Sequence, residues 1–418
     1  MSDLLVHGGT GLDGVPVDVL IQDGRISAVG PGLAGRTSTR GLDAGGAVVV
    51  PAFVESHLHL DKALLGATDG GLDAAIAATA ERKRSFTTED VASRADRVMG
   101  WALAAGTTQI RAHTEIDPTV GDLSIRALLA LRERWRGRVR LQLAAFPQEG
   151  IEARPGTLGL LVDALDHPDV IVGGCPYAEG DARAARRHID TVLDLAAERD
   201  LPADLHLDLA DHLEDDRFVL AEQVAHGVID RGLEGRVSIG HVTTLGLMDP
   251  PARTRIIDAL AEARVTVAAL PATDLFLTQR SGRHHSHRGI APVRELHGAG
   301  VDVVLSSNNV RNAFTPTGRA DPLDIGLLFA RLAHVSSGAD VRWIVEMLSS
   351  AGQRLMDPDA PAGLTAGAPG DIVLLRGVDP ADVLSAHPAA RVVIRAGDVV
   401  ARTETTTWVA DAVPTLSR

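Results

Sequence analysis

Two histidines one residue apart, His57 and His59, follow an apolar run from Val48 to Val54 that is broken at Pro51. Side chains alternate along a strand with period two, so this pair projects from one face and can present two imidazole nitrogens to one cation. Neutral imidazole is the commonest protein ligand for zinc and also suits iron. The same spacing also occurs as two ordinary histidines of a core or surface, so the wider pattern has to decide. His113, His206 and His241 each sit at the end of another apolar run, in Arg111-Ala112-His113, Asp204-Leu205-His206 and Ser238-Ile239-Gly240-His241.

The elements that must position these residues alternate. Strand-like apolar runs are separated by helical patterns such as Thr88–Val98, the signature of repeated βα units. Eight such strands end near His57, His113, Phe146, Cys175, His206, His241, Pro271 and Asn308, which is the count of a (β/α)8 TIM-type barrel. Barrel enzymes carry their chemistry at the C-terminal ends of the strands, and the recurrence of histidine there supports a metal site. Short alternating segments separated by glycine turns precede the barrel (Leu4–His7, Val17–Ile21, Ile26–Val29), and a matching set follows it (Asp371–Leu375, Arg391–Arg395, Asp398–Val400).

With 418 residues and 45% hydrophobic content the chain can fill one large barrel and a small appended domain. A single cysteine, Cys175, permits no intramolecular disulfide. The first residues lack a basic segment followed by a long apolar run, and no apolar stretch reaches membrane-spanning length, so a cytoplasmic protein is expected. A net charge of −14 argues against nucleic acid or an anionic membrane as partner, since those need basic patches. The partner expected is a small-molecule substrate.

The run Pro51–Lys62 resembles the first barrel strand of the amidohydrolase superfamily, and Asp61-Lys62 resembles its cytosine deaminase and N-isopropylammelide amidohydrolase branch. Arg111–His113, Ala145–Gly150, Gly173–Tyr177, Leu270–Leu275 and Arg288-Gly289 extend the resemblance over nearly the whole chain. It implies a barrel over residues 51–361 and a small β-sandwich built from both chain ends, 1–50 and 362–418. It also implies His57, His59 and His206 as metal ligands and His241 as the group that polarises substrate and attacking water. Gln148 matches a glutamine that holds the carbonyl and ring nitrogen of pyrimidine or triazine substrates, and Asn309 aligns with a second substrate contact. Homo-oligomers are common among the resembled enzymes. The chain has two lysines, Lys62 and Lys83, and the fourth strand ends without one, so no carbamylated lysine can bridge two metals. One divalent ion is expected, zinc ahead of iron or manganese.

Two positions depart from the family pattern. Where these deaminases carry a metal-ligating aspartate that takes a proton from water, this chain has Asn308, a neutral and weaker ligand that cannot accept that proton. Where they place a proton-shuttling glutamate three residues past the strand-five histidine, it has Leu209. Asp208, Asp211, His212 and Glu214 are nearby, with structural or solvated roles expected, although a one-residue shift would bring Asp208 or Asp211 into that slot. Two further features are open to two readings. Arg280 and the run Arg283–Arg288, with its three histidines, either bind metal or a substrate acid or form a solvated loop with Asp274; Cys175 either packs or serves as a catalytic thiol, which would need an electropositive partner, and packing is expected. The resulting expectation is a metal-dependent hydrolase of a C–N bond in a small nitrogen heterocycle or cyclic amide, with His241 and Asn308 at the reacting centre. The alternative is a repurposed barrel that binds a ligand or performs a nonhydrolytic step.

Overall fold

A computed structural model describes residues 3–34, 39–278, 289–335 and 337–409. Arg280 and the histidine-containing run Arg283–Arg288 lie outside the described residues. Five strands open the chain: β1 (Leu4–Thr10), β2 (Pro16–Gln22), β3 (Arg25–Gly30), β4 (Gly41–Asp43) and β5 (Val48–Pro51). The barrel follows with β6 (Phe53–Leu58), β7 (Thr107–Glu115), β8 (Arg140–Phe146) and β9 (Val170–Gly174). It continues with β10 (Ala203–Leu207), β11 (Val237–His241), β12 (Thr266–Ala269) and β13 (Val303–Leu305). Three strands close the chain: β14 (Ile372–Leu375), β15 (Arg391–Arg395) and β16 (Asp398–Thr403).

The two ends meet in one eight-stranded sheet of order β16-β15-β14-β5-β1-β2-β3, with β4 on β1. The join is the antiparallel pairing of β5 with β14, Val50 opposite Val373. That sheet has a core of its own, in which Leu4, Val19, Ile21, Val49, Ile372 and Ile394 are buried together.

Strands β6 to β13 pair in chain order, all parallel, and each expected strand end falls at or within a few residues of an observed one. β9, β10, β11 and β12 are buried at every position; β9 and β12 read as continuous apolar runs, as strands covered on both faces do, while β10 and β11 carry polar residues toward the barrel interior and rim. The ring closes where Asn308 donates its N–H to the His57 carbonyl (3.0 Å) and accepts from the His59 N–H (2.8 Å). Helices are set by local signals that also fix loop lengths. Thr87 caps Thr88–Ala104 through Oγ1 (3.2 Å), and Asp249 caps Pro250–Glu262, whose proline occupies the first turn. Gly173 leaves room for a strand neighbour, since a Cβ there would lie 2.4 Å from the Ala145 carbonyl oxygen.

No helix among the described residues is long and apolar enough to cross a membrane.

Candidate metal and catalytic site

The barrel rim gathers the histidines. His57 and His59 leave β6, and pairing of β10 with β11 sets His206 level with Gly240 and Leu207 level with His241. The Nε2 atom of His206 lies 3.0 Å from that of His57 and 2.8 Å from that of His59. Two imidazole nitrogens brought this close to that of His206 leave few hydrogens to share among them, and the cluster offers donors a cation could occupy. Burial, reinforced by the neighbouring histidines and, at His59, by Lys62, holds all three imidazoles well below the usual histidine range. They therefore keep the neutral form that ligates metals. Gly240 makes space for this arrangement, because a Cβ there would meet His57 Cε1 at 2.7 Å.

A fourth ring was given no role from the sequence. His113 stacks on His57 with centroids 3.8 Å apart, and its ligand atoms come within 4.8 Å of those of His57 and His206. His59 has the stronger claim to the third ligand position. Its Nε2 makes the shorter approach to His206, whereas His113 turns Nε2 toward Asp204 at 3.1 Å. Asp204 also lies 3.7 Å from His57 Nδ1 and accepts from Arg111 at 3.0 Å. Arg111 is buried and donates to Gln142, Asp204, Ser238 and the Leu355 carbonyl, tying β7, β8, β10 and β11 together beneath the histidines. Burial opposes ionisation of Asp204, but His113, His57 and Arg111 outweigh it and hold the carboxyl well below the usual range. The pattern Arg-x-His on one strand and Asp-x-His on another was visible in the sequence, but nothing local indicated that the two would meet.

Asn308 sits at the closing seam of the barrel in a left-handed conformation, φ 58°. Glu55 fixes the approach to it, accepting from Ser306 Oγ (2.5 Å), Ser307 N (2.9 Å) and Ser307 Oγ (2.6 Å). The Asn308 side-chain oxygen is buried without a hydrogen-bond partner among the described residues. A buried orphan acceptor is costly unless something else satisfies it, and a cation among the three histidines would be suited to that. The donor set fits one divalent ion, which His57, His59 and His206 would hold.

His241 ends β11 in a strained backbone, φ 74°, followed by Val242 at φ 44°. Its Nδ1 is held 2.7 Å from Asp274 Oδ1, and its ring centroid lies 5.2 Å from that of His206. Asp274 belongs to the buried helix Pro271–Leu277, not to a loop as expected, because Leu270 opens a helical turn at the end of β12. Burial raises its pKa, and the His241 contact offsets part of that rise.

A cavity of about 260 Å³ opens beside the histidines, lined by Lys62, Gln148, Cys175, Leu209, His241 and Asn309 among others. Lys62 donates to Gln148 Oε1 and pairs with Glu115 at 3.3 Å. Lys83 is buried at the end of the helix Leu72–Lys83 among Glu115 (2.6 Å), Asp117 and Glu149, and these acids raise its pKa against the effect of burial. Cys175 packs as expected. Burial pushes its thiol up to about 12.

Asp208, beside Leu209, is committed elsewhere. Asp208, at φ 52°, turns its carboxylate onto the N–H groups of Leu220 (3.0 Å) and Ala221 (3.0 Å), opening the helix Ala221–Asp230. Burial pushes it up to about 7 although those N–H groups favour the anion. His212 pairs with Glu214 at 3.2 Å on the surface. Leu209 itself faces the cavity.

The amidohydrolase family model matches residues 68–401. The chain belongs to the amidohydrolase family. This amidohydrolase is 28% identical over 394 residues to a pterin deaminase of Rhizobium rhizogenes, covering 92% of this chain and 88% of that one. It is 24% identical over 380 residues to an N-isopropylammelide isopropyl amidohydrolase of a Pseudomonas species, covering 87% and 88%. An N-isopropylammelide isopropylaminohydrolase structure from Burkholderia multivorans superposes with a TM-score of 0.84 at 28% identity, over 96% of this chain and 99% of that one. A 5-methylcytosine deaminase structure from Klebsiella pneumoniae shares the fold with a TM-score of 0.89 at 24% identity, over 97% and 99%.

Proposed function

We propose that this amidohydrolase is a metal-dependent hydrolase of a C–N bond in a small nitrogen heterocycle or cyclic amide. The observation that carries the proposal is the convergence of the His57, His59 and His206 Nε2 atoms beside a histidine, His241, fixed by a buried carboxylate. A divalent ion held there, zinc given the all-imidazole set, supplies positive charge that acidifies water and polarises a carbonyl. Asp274 fixes the His241 tautomer by accepting from Nδ1, which leaves Nε2 to take a proton from water as it attacks and to return it to the leaving nitrogen. Gln148 and Asn309 orient the ring. Asn308 contributes an oxygen dipole and no proton transfer. The relatives' names support the reaction class, since they act on pterin and on N-isopropylammelide. The buried lone thiol is consistent with a reducing compartment, and a cytoplasmic homo-oligomer is the setting we propose.

One observation favours a second reading, in which the barrel binds a ligand without hydrolysing it: Asp208 is committed to a helix terminus and Leu209 occupies the cavity wall, so neither supplies a proton relay. Metal analysis with a panel of aminated heterocycles, lactams and cyclic ureides separates the two. The first reading expects about one metal per chain and turnover that falls at least about a hundredfold in His241→Ala with metal content unchanged. Full metal occupancy with no turnover across the panel would establish the binder.

A further inference from the structure

The cavity has a polar wall whose hydrogen-bond direction can be worked out atom by atom. Lys62 can only donate, so the Gln148 atom facing it must be Oε1, and Nε2 is what Gln148 has left to offer. Asn312 accepts two backbone N–H groups at Oδ1, those of Phe314 (2.9 Å) and Thr315 (3.1 Å). Its Nδ2 must therefore donate, and it does so to Asn309 Oδ1 at 2.7 Å; Asn309 Nδ2 gives one N–H to Thr273 Oγ1 at 3.5 Å and keeps the other for the cavity. Lys62, Gln148 and Asn309 thus form a wall of donors. Among the described lining residues the only carboxylate is Asp73, on the exposed side of the helix Leu72–Lys83. Ring amino or amidine N–H groups would find no anionic acceptor at depth.

A second wall is apolar and built from separate segments. Leu209 after β10, Leu277 at the end of its helix and Phe314 after β13 pack with Leu72 and Ile76 in a cluster distinct from the barrel core. The cavity volume of about 260 Å³ equals roughly nine waters at ~30 Å³ each, enough for a ring and a short side chain.

We infer that the cavity takes a heterocycle presenting carbonyl oxygens, of the cyclic imide or ureide class, with an alkyl or aryl substituent against Leu209, Leu277 and Phe314. The inference deepens the hydrolase reading and rests on it only in treating this cavity as the substrate site. The carbonyls accept from the donor wall, and the substituent occupies the place where an acid would otherwise meet an amino group.

The test is calorimetric binding of four probes to the zinc-loaded full chain: uracil, 5-butyluracil, 2,4-diaminopyrimidine and 5-butyl-2,4-diaminopyrimidine. The expected result is that each oxo probe binds at least about tenfold tighter than its diamino partner, and each butyl probe at least about tenfold tighter than its parent. Leu209→Gln, and independently Phe314→Asn on another segment, should reduce the butyl gain below about threefold while keeping the oxo preference. Lys62→Met frees Gln148 to present its oxygen, and should reduce the oxo preference while keeping the butyl gain. Tighter binding of the diamino pair, or no gain from butyl in the wild type, overturns the inference even if the enzyme hydrolyses some other ring. Absence of turnover on the wider panel sinks the hydrolase reading alone and leaves this binding preference standing.

Discussion

Replacing Arg111 by methionine tests whether the buried network under the histidines holds the site together. Methionine keeps much of the side-chain volume but none of the donors, so the perturbation is electrostatic rather than a cavity. It orphans Gln142 Oε1 and the Leu355 carbonyl, leaves Ser238 Oγ only the Ala203 carbonyl at 3.4 Å, and removes the 3.0 Å partner of the Asp204 carboxylate. Breaking a buried ion pair from one side costs about 3–5 kcal/mol, and because Asp204 retains His113 at 3.1 Å the orphan costs do not simply add to that. For 418 residues an unfolding entropy of roughly 2.1 cal/mol/K per residue gives about 0.9 kcal/mol/K, so Tm should fall by about 3–6 °C in scanning calorimetry. Adding Asp204→Asn should recover part of that loss, since a pair removed together costs less than a charge left alone. The single variant should also lower metal content, because Asp204 lies 3.7 Å from His57 Nδ1. A Tm change under about 1 °C, or a double variant whose loss is the sum of the two singles, would refute the reasoning.

Other outcomes follow from the same contacts. Asp274→Asn keeps the shape but favours the wrong His241 tautomer, so kcat on a turned-over heterocycle should fall by about 10²–10⁴ with KM and Tm little changed; an equal rise in KM would point to a binding role instead. Iodoacetamide should leave native Cys175 unlabelled at pH 8, because a thiol pushed up to about 12 and buried offers almost no thiolate; rapid stoichiometric labelling would contradict that packing. His188 accepts the Cys175 N–H (3.0 Å) and contacts Glu179 at 2.7 Å, and burial lowers its pKa more than Glu179 restores it. A depressed histidine contributes stability that is present above the unfolded pKa of about 6.5 and lost as pH falls through the folded value. The Tm gap between wild type and His188→Asn should therefore narrow from pH 7.5 to pH 5, and a constant gap would count against it.

The strands were legible because parallel strands covered on both faces are rich in apolar residues, and each such run ends at the barrel rim. The histidines were legible for the same reason: alternation puts His57 and His59 on one side, and strand ends put His206 and His241 beside them. What stayed hidden depends on partners far apart in the chain. Arg111 meets Asp204 across 93 positions and Leu355 across 244, and no local pattern encodes either contact. Lys83 stands in a polar stretch of sequence, and its burial shows only once Glu115, Asp117 and Glu149 are folded around it. Asp274 reads as a loop acid until the turn after β12 winds into a helix.

The acids beside Leu209 show most clearly how backbone conformation, rather than residue type, assigns a role. Asp208 is adjacent in sequence to the slot where the resembled enzymes carry their proton shuttle, and a one-residue shift in alignment would put it there. Its φ of 52° turns the chain, so its carboxylate meets two N–H groups at the start of the helix Ala221–Asp230 and Leu209 meets the cavity. A helix N-terminus stabilises an anion, and a carboxylate spent on it cannot also move protons at a ring. Exchanging the two side chains should therefore fail as a repair: an aspartate at 209 would enter the cavity, but a leucine at 208 would leave the Leu220 and Ala221 N–H groups buried and unpaired, at about 1–3 kcal/mol each. Leu209→Glu alone is the cleaner gain-of-function experiment. If it creates deamination of cytosine or an aminotriazine while Asp208→Asn in the wild type lowers Tm without changing substrate preference, the two neighbouring positions have the separate jobs the backbone assigns them; loss of substrate binding in Asp208→Asn at unchanged Tm would reverse that assignment.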